Sequence, residues 1–300
     1  MGLKRNKKAM FFTLFALVLL SLFLISSTLY IVISDRDSTS KRIETMNGFV
    51  FSVEQNLPRQ IYISGYREIF LLEKQIADTG EYISELNSKF EELFYNGSIS
   101  QIEQEIMLGA TFSDINNSIN EKAKKMNMNA DISSPSISFT QEDPWNVKIT
   151  FNSRLLLKDN AGLASWDKNL EIISYIPIVN FGDPLYIVST NGKVTNKINK
   201  TIYESFEIPN LILHNQKMYY KASTTAPSFL DRLQGINNAN ENGIESLVYL
   251  PALSQQGIAI KDKSCVDYIY FSSNNPAFQP IDGMPSWFKL DIGHLGDYST

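Results

Sequence analysis

Residues 9–34 read AMFFTLFALVLLSLFLISSTLYIVIS, a run of 26 residues without a charged side chain. As a helix with a rise of 1.5 Å per residue, this run spans about 39 Å and crosses the roughly 30 Å hydrocarbon core of a bilayer. Its few hydroxyl groups can donate to carbonyl groups one turn earlier in the helix, which makes them tolerable in lipid. The run therefore predicts a single transmembrane helix over residues 9–34, with the lipid bilayer as its partner.

The residues that flank this helix indicate its orientation. The tail formed by residues 1–8 carries four basic residues and no acid, whereas residues 35–44 carry three basic and three acidic residues. Lysine and arginine residues close to a membrane helix favour the cytoplasmic side. We therefore expect a single-pass protein of the cell membrane, with a cytoplasmic N-terminal tail and with residues 35–300 outside the cytoplasm.

A cleaved signal peptide is the alternative interpretation of the same stretch. Signal peptides have an apolar core of about 7–15 residues, followed by a cleavage site of the small-x-small type. The apolar run of this chain is longer, and no clear site of that type follows it. The sequence therefore favours a retained anchor.

The composition of the 300-residue chain limits the kinds of partner it can have. Its net charge is −5, and no basic stripe occurs beyond the tail, so a nucleic-acid partner is not expected. The single cysteine, Cys265, allows no internal disulfide. Three Asn-x-Ser/Thr triplets, at Asn96, Asn116 and Asn199, would allow glycosylation outside the cytoplasm.

Residues 35–130 are predicted to form a helical region that continues from the anchor. Apolar residues recur at intervals of three and four over residues 43–57 and again over residues 61–76. Pro58 separates the two segments, and we expect it to end or kink the helix because proline removes a backbone hydrogen bond. Gly65, in the middle of the second apolar stripe, would let another backbone come close.

The remaining helices of this region are predicted from their end signals. Thr79-Gly80 indicates a helix stop, and a further helix should end at Asn96-Gly97. Residues 98–101 fit a capping box, which predicts a short helix that closes near Gly109. The last helix covers residues 113–128, with three lysines in its last turn that suit the helix dipole.

Near residue 130 the spacing of apolar residues changes to every second residue, which predicts strands. Apolar residues alternate at 137 and 139, in a first strand, and again over residues 145–151, in a second strand that continues to a turn at residues 158–162. A third strand follows over residues 166–176. Short connections between three strands favour an antiparallel meander, covered on one face by the helices. The expected fold class is α+β: a transmembrane helix, amphipathic helices, then an antiparallel β-rich extracytoplasmic domain over residues 131–300.

The second half of this domain is predicted as short elements, and a domain split near residue 180 is left open. A helix is expected over residues 227–234, ending at Gly235. Strands are expected at residues 185–189, 206–213, 217–221, 244–250, 266–271 and 287–290.

The sequence offers little for nucleophilic catalysis, which needs a base next to the nucleophile. Only His214 and His294 are present, and we expect His214 at a strand end that turns into a loop, exposed or half-buried. Cys265 precedes a predicted buried strand and is expected to be a packed, inert thiol. No hydrolase, phosphate-loop or zinc motif occurs. We therefore predict no enzyme activity, no catalytic residue and no cofactor.

Two short patterns contain part of a cation site. Residues 238–243 read NANENG and have the spacing that opens a calcium loop, but Tyr249 stands where the closing acid is expected. Asp291, His294 and Asp297 are ligand types that suit zinc or manganese. Both sets lack ligands of a complete site, so the sequence favours a turn-rich loop at the first and predicts no metal at either.

The order of elements resembles that of archaeal type IV pilin-like, membrane-anchored surface proteins. The resemblance rests on the basic tail, the helix that begins MFFTLF, the amphipathic extension and the meander, together with segments such as PSFLDRL at 227–233 and VDYIYF at 266–271. It implies cleavage by a prepilin-type peptidase near residues 8–10. The sequence departs from the pilin pattern at Ala9, where glycine is common, and at Leu14, which replaces a glutamate.

These observations leave three functions open. The first is a pilin-like or minor-pilin-like structural subunit of the cell surface, with other such subunits or envelope proteins as partners. The second is an anchored ectodomain that binds a glycan, a peptide or an envelope protein through polar loops at residues 181–192 and 235–243. An extracytoplasmic hydrolase is the third, and no catalytic constellation supports it.

Overall fold

The computed structural model describes the backbone of residues 7–298 and the side chains of residues 10–298. Its first element is a single helix, α1 (Lys7–Thr79), which has 73 residues and is about 110 Å long. Within the described chain, α1 is the one helix that is long and apolar enough to cross a membrane. The basic tail at residues 1–8 lies outside the described residues, apart from the backbone of residues 7 and 8.

The first part of α1 stands clear of the rest of the chain. No side chain from residue 10 to residue 45 is buried, and burial begins at Met46. From there to Ile76, apolar side chains spaced by three and four residues face the body of the protein, as predicted. The part of the chain from residue 46 to residue 298 is called the body below.

Of the two effects expected at Pro58, an end of the helix does not occur, because α1 runs through it to Thr79. An internal proline costs a helix about 3 kcal/mol, whereas burying one leucine or isoleucine contributes about 1.5–3 kcal/mol. Leu57 and Ile61, on either side of the proline, are fully buried. Ser174 also donates a hydrogen bond of 2.6 Å to the Pro58 carbonyl. Packing against the sheet therefore outweighs the local cost.

The helix stop at Thr79-Gly80 is confirmed, and so is the next helix, α2 (Leu86–Asn96), which ends at Gly97. The capping box and short helix predicted from residue 98 are wrong. This segment forms a small hairpin of β1 (Ser98–Ile99) and β2 (Ile102–Glu103), followed by a single 3-10 turn. The two residues at its tip have positive φ angles of 51° and 68°, which a right-handed helix does not allow.

A capping box does occur further along, at the start of α3 (Phe112–Lys125). The side chain of Thr111 accepts a hydrogen bond from the backbone N–H of Asp114, and the Asp114 carboxylate accepts one from the backbone N–H of Thr111. Ser64 of α1 donates a hydrogen bond of 2.7 Å to the carbonyl of Ala110, just before this helix. The start of α3 is therefore tied to the middle of the body's part of α1.

The predicted antiparallel meander is confirmed. Its strands are β3 (Met128–Asp143), β4 (Asn146–Asp159) and β5 (Ser165–Pro177), and they lie side by side in that order. One face of the sheet packs against the helices. The residues of β4 that are fully buried there are Val147, Ile149, Phe151, Leu155 and Leu157.

The sheet lies lengthwise along α1. Arg42 contacts Asp159 at the end of β4, and Gly65 contacts Ile149, ten residues earlier in the same strand. The 23 helical residues and the ten strand residues between these contacts both cover about 33–35 Å. The axes of helix and strand are therefore almost parallel, with opposite chain directions, and α1 forms the spine of the body.

Residues 181–298 fold into short helices, two small ribbons and an apolar core of their own. The helices are α4 (Pro184–Ser189), α5 (Ile208–Lys217), α6 (Phe229–Gln234), α7 (Leu250–Gln255), α8 (Asp267–Phe271) and α9 (Leu295–Tyr298). The antiparallel ribbons pair β6 (Tyr220–Ala222) with β7 (Ile244–Ser246), and β8 (Phe278–Pro280) with β9 (Lys289–Asp291).

Three of the predicted strands in this part are helices. Residues 185–189 form most of α4, residues 208–213 belong to α5, and residues 267–271 form α8. Short apolar runs that are buried on several sides show no period that separates strand from helix. Pro184, which follows the N-cap Asp183, marks the first turn of α4.

The other predictions for this part hold in different degrees. The helix expected over residues 227–234 is confirmed as α6, and it ends at Gly235. The strands expected at 217–221, 244–250 and 287–290 are reduced to the three-residue strands β6, β7 and β9. The α+β class therefore holds, but the part beyond residue 180 is not β-rich.

Candidate functional site

The apolar part of α1 is a large uncovered surface. From Met10 to Ile33, the large apolar side chains are 48–74% exposed on every side of the helix. Thr13 donates 3.0 Å to the Met10 carbonyl, and Ser21 donates 2.8 Å to the Val18 carbonyl, as the sequence predicted for hydroxyls in lipid. Thr28 donates to the carbonyls of Leu24 and Ile25, one turn before it. This surface needs an apolar environment around its whole circumference.

Arg42 joins α1 to the end of the body that lies nearest to this apolar segment. Its Nε donates to Asp159 Oδ1 at 2.5 Å, and its Nη2 donates to the Asn127 carbonyl at 2.6 Å. The backbone N–H of Asn160 donates to that same carbonyl at 3.2 Å. The turn after α3 and the turn after β4 therefore meet here, and residues 122–127 with residues 158–163 are called the lower end.

A buried ionic cluster ties the short helices of the second half together. Arg232 of α6 is 1% exposed, and its Nη1 donates to Asp183 at 2.6 Å and to Asp267 at 3.0 Å. Tyr220 donates to Asp183 at 2.7 Å, and Ser246 donates to Asp267 at 2.8 Å. The cluster thus links α4, α6, α8 and the β6–β7 ribbon.

Two carboxylates share one guanidinium in this cluster. Burial raises the pKa of Asp267. The positive charge of Arg232 opposes this rise, and the negative charge of the Asp183 carboxylate adds to it. Sequence reasoning missed the cluster. Its one signal is that Arg232 lies next to Leu233 and three residues after Phe229, on the apolar face of a short helix.

His294 lies between two carboxylates. Its Nδ1 is 2.8 Å from Asp291 Oδ1, and its Nε2 is 3.3 Å from Glu245 Oε2. Burial disfavours the charged ring, but the hydrogen bonds to Asp291 and Glu245 outweigh burial and raise the pKa of His294 to about 10. The ring is therefore a cation at neutral pH and cannot take a proton from a nucleophile.

The third residue of the pattern Asp291-x-x-His294-x-x-Asp297 does not face the other two. Asp297 Oδ2 lies 3.2 Å from Lys221 Nζ, and that ammonium group also lies 3.3 Å from Glu245. Within residues 10–298, no group of three or more histidine, cysteine, aspartate or glutamate side chains has an arrangement that could hold a metal ion. The carboxylates around His294 are thus neutralised by cations of the chain itself.

The other histidine is not at a strand end, as the sequence suggested, but inside α5. His214 is fully buried, its Nδ1 lies 3.1 Å from Thr201 Oγ1, and its ring packs edge-on against Phe206. Burial lowers the pKa of His214 to about 4, and the charge of Lys221 adds to this. His214 is therefore a neutral core residue at physiological pH.

Cys265 is packed as expected, although a helix and not a strand follows it. Its side chain is fully buried, and burial raises the pKa of its thiol to about 12. Since the thiolate is the reactive form, this cysteine is inert near neutral pH.

The asparagine-rich loop uses its amides to hold itself in place. Asn240 Nδ2 donates to Asp231 at 2.7 Å, and Asn242 Nδ2 donates to the Gln141 carbonyl at 3.0 Å. A Cβ on Gly243 would lie 2.0 Å from the carbonyl oxygen of Ala226. The spacing that mimics a calcium loop therefore serves packing of the loop against α6 and β3.

Two glutamates of α1 are turned into the body, and sequence reasoning missed both. Glu68 is fully buried, and its Oε1 forms a hydrogen bond of 2.8 Å with the Ser64 hydroxyl. Burial raises its pKa to about 8, against the effect of that hydrogen bond. Burial also raises the pKa of the half-buried Glu73 to about 8, and a backbone hydrogen bond from Gly182 opposes it. Glu68 falls between Gly65 and Leu72 on the apolar stripe, which is a signal that the sequence did contain.

The three glycosylation triplets differ in access. Asn96 is exposed at the end of α2. Asn116 is half-buried, and its Oδ1 accepts a hydrogen bond of 3.3 Å from the backbone of Ile132. Asn199 is half-buried as well, and its Nδ2 donates 3.2 Å to the Lys197 carbonyl. Of the three, Asn96 is the one whose amide is open to modification.

Comparisons of the chain with protein-family models, with curated protein sequences and with solved structures found no match.

Proposed function

We propose that this chain is a membrane-anchored structural subunit of pilin-like plan. Residues 9–34 lie in the bilayer, the basic tail lies in the cytoplasm, and the body lies outside it. The chain acts as a pilin-like or minor-pilin-like surface subunit, which associates with similar subunits or with envelope proteins.

One observation carries the proposal: the helix that forms the anchor also forms the spine of the body. α1 leaves the apolar segment, passes Arg42 and packs lengthwise on the meander without a break. A protein that only needed tethering could end its anchor in a loose linker. A continuous helix instead holds the body at a set position relative to the anchor, which a subunit of an ordered assembly requires.

The circumference of the apolar segment supports a role in assembly as well as in lipid. A helix that is apolar all round is buried either in a membrane or among other helices. Side chains such as Phe23 at 72% and Tyr30 at 74% exposure offer large contacts to neighbouring helices of the same kind. Leu14, in place of the glutamate of pilins, leaves this contact without a charge, so packing alone has to specify it.

A structural role suits the chain better than a catalytic one. His294 is held as a cation, His214 is buried in the core, and the thiol of Cys265 is inert. The ionic clusters in the second half link elements of the fold to one another. The alternative of an anchored binding domain has less support, because most of residues 181–192 are buried and the loop at 235–243 is tied down.

The mass of the mature N-terminus, measured on protein from native membranes, tests the processing step. Cleavage by a prepilin-type peptidase should remove the basic tail, so that the mature chain begins near Ala9. A mature chain that begins at Met1 or Gly2 would contradict processing of the pilin type.

Crosslinking in native membranes tests the assembly. A photoreactive residue at Phe23 should give adducts of two or more copies of the chain, or of the chain with one other envelope protein. The matched control is the same residue at Ser38, which is also exposed but lies in the polar part of α1. Adducts to lipid alone at position 23 would show an anchored monomer and would contradict the subunit role.

A further inference from the structure

The lower end is the part of the body that lies closest to the bilayer. Eight residues of helix separate Ser34, the last residue of the apolar run, from Arg42, which holds the two turns of the lower end. Eight residues of helix are about 12 Å long, and the headgroup layer on each side of the hydrocarbon core is about 5–8 Å thick. The lower end therefore lies within a few ångströms of the headgroups.

The direction of α3 points its C-terminus at the same layer. Its start is held near the level of Ser64, and its end is followed by Asn127 at the level of Arg42. The last turn of α3 therefore faces the membrane. The exposed lysines at or beside this end are Lys122, Lys124, Lys125 and Lys158.

The lower end is basic in a protein that is acidic as a whole. Within residues 122–127 and 158–163, four lysines stand against one acid, Asp159, which is paired with Arg42, and the exposed acids Glu121 and Asp131 flank this set. With Arg42 paired to Asp159, residues 35–44 keep two basic and three acidic side chains, and the whole chain has a net charge of −5. The positive charge is thus concentrated where the body meets the bilayer.

Two apolar side chains accompany these lysines. Met126 is 38% exposed after the last turn of α3, and Leu163 is 46% exposed in the turn between β4 and β5. Lysines around exposed apolar residues are typical of surfaces that bind anionic membranes.

We propose that the lower end docks on anionic lipid headgroups of the bilayer that holds α1. This inference rests on the proposed anchoring of residues 9–34. Each lysine close to an anionic membrane surface favours the docked state by about fivefold. Docking would hold the body upright on its helix, with the β4–β5 turn at the headgroup level.

The test uses the full chain with Ala161→Cys in the β4–β5 turn, labelled with a fluorophore. Cys265 stays unlabelled because it is fully buried. The chain is reconstituted in vesicles of phosphatidylcholine alone or of phosphatidylcholine with phosphatidylglycerol, each with a headgroup-linked quencher. We expect stronger quenching in the anionic vesicles, and we expect 1 M salt, with a screening length of about 3 Å, to remove the difference.

Two variants that remove the same number of charges test whether the lysines of the lower end cause the stronger quenching. Lys124→Gln, Lys125→Gln and Lys158→Gln together should remove the extra quenching in anionic vesicles. The control neutralises Lys193, Lys197 and Lys217, which are exposed residues outside the lower end, and it should leave the quenching unchanged. Equal quenching in neutral and anionic vesicles, or an equal effect of both variants, would overturn the proposal.

Extraction with alkaline carbonate separates this proposal from the one on which it rests. A chain that leaves the vesicles under carbonate is not anchored, and the proposed function itself fails. A chain that stays in the vesicles but shows no lipid-dependent quenching fails the docking proposal alone.

Discussion

Gly65 of α1 lies directly against Ile149 of β4. A Cβ on residue 65 would stand 2.0 Å from Cδ1 of Ile149 and 2.7 Å from Cδ1 of Ile176. Glycine costs a helix interior about 1 kcal/mol relative to alanine. The close contact between α1 and the sheet thus depends on a residue that weakens the helix by itself.

Gly65→Ala should therefore destabilise the protein by about 1–3 kcal/mol, the usual cost of overpacking a core. The matched control is Gly48→Ala in the same helix. No atom lies within 4 Å of a Cβ at residue 48, so this change should stabilise the protein by about 0.5–1 kcal/mol. Unfolding in urea, followed in detergent, measures both. Ile149→Val, which removes the nearest methyl group, should recover part of the loss, and a Gly65→Ala variant as stable as Gly48→Ala would refute the close contact.

Glu68 should make stability depend on pH. Its carboxyl has a pKa of about 8 when folded, against 4.5 as its ordinary value, because burial disfavours the charged form. The folded state therefore binds the proton more tightly, and the free energy of unfolding falls as pH rises from 4.5 to 8. The slope of this fall is at most about 1.4 kcal/mol per pH unit.

The variant Glu68→Gln should make that dependence less steep, since Glu73 also contributes to it, and should raise the unfolding midpoint at pH 8. Thermal unfolding over a series of pH values measures the effect. The exposed Glu44→Gln, in the same helix, should leave the pH dependence as it is. A Glu68→Gln profile parallel to that of the unchanged protein would contradict a neutral, buried carboxyl.

Neither histidine should titrate near its ordinary pKa of 6.5. Burial lowers the pKa of His214 to about 4, whereas hydrogen bonds to Asp291 and Glu245 outweigh burial and raise that of His294 to about 10. NMR titration of the two imidazole C–H signals should find both unchanged from about pH 5 to pH 8. A signal that titrates near pH 6.5 would contradict the structure at that ring.

The raised pKa of His294 gives the stability of the protein a second pH dependence. The stability that His294 contributes should be complete below pH 6.5 and should be lost as pH rises towards 10, because the folded state holds the proton longer. Asp291→Asn should lower the pKa of His294 and shrink this loss, which the same NMR titration and unfolding series would record.

Arg232→Met should cost about 3–5 kcal/mol of stability, because it leaves two buried carboxylates without their cation. The matched control is Arg154→Met, whose bidentate partner Asp167 is exposed on the sheet, and which should change little. Urea unfolding compares the two. If Arg232→Met does not fold, adding Asp183→Asn and Asp267→Asn should restore folding. Equal losses at the two arginines would show that the cluster does not stabilise the fold.

The sequence predicted those parts of the fold in which the pattern of apolar residues extends over many residues. The apolar run of residues 9–34 and the alternation along β4 extend over many residues, so hydrophobic period alone decides them. Pro58 shows the limit of a local rule, because buried contacts with residues more than 100 positions away offset the cost of the proline. The runs at 185–189 and 266–271 were too short and too uniformly buried to reveal their period.

The candidate sites were less predictable than the fold. A charged residue on an apolar face, such as Glu68 or Arg232, can be seen in the sequence. Its partners cannot, because Asp183 and Asp267 lie 49 and 35 residues from Arg232. The pattern Asp291-x-x-His294-x-x-Asp297 shows the opposite case: of three residues close in sequence, Asp291 and His294 contact each other, whereas Asp297 faces Lys221.

Because α1 is unbroken from the apolar segment into the body, any tilt of the apolar segment also moves the body. From Ser34 to Thr79 the helix extends about 68 Å. Membrane helices tilt by about 20° on average, and more when the bilayer is thinner than the apolar segment. A tilt of that size moves the far end of α1 sideways by about 23 Å. With residues 9–34 in the bilayer, as proposed, a change of a few ångströms in bilayer thickness would be converted into a sideways displacement several times larger at the top of the body.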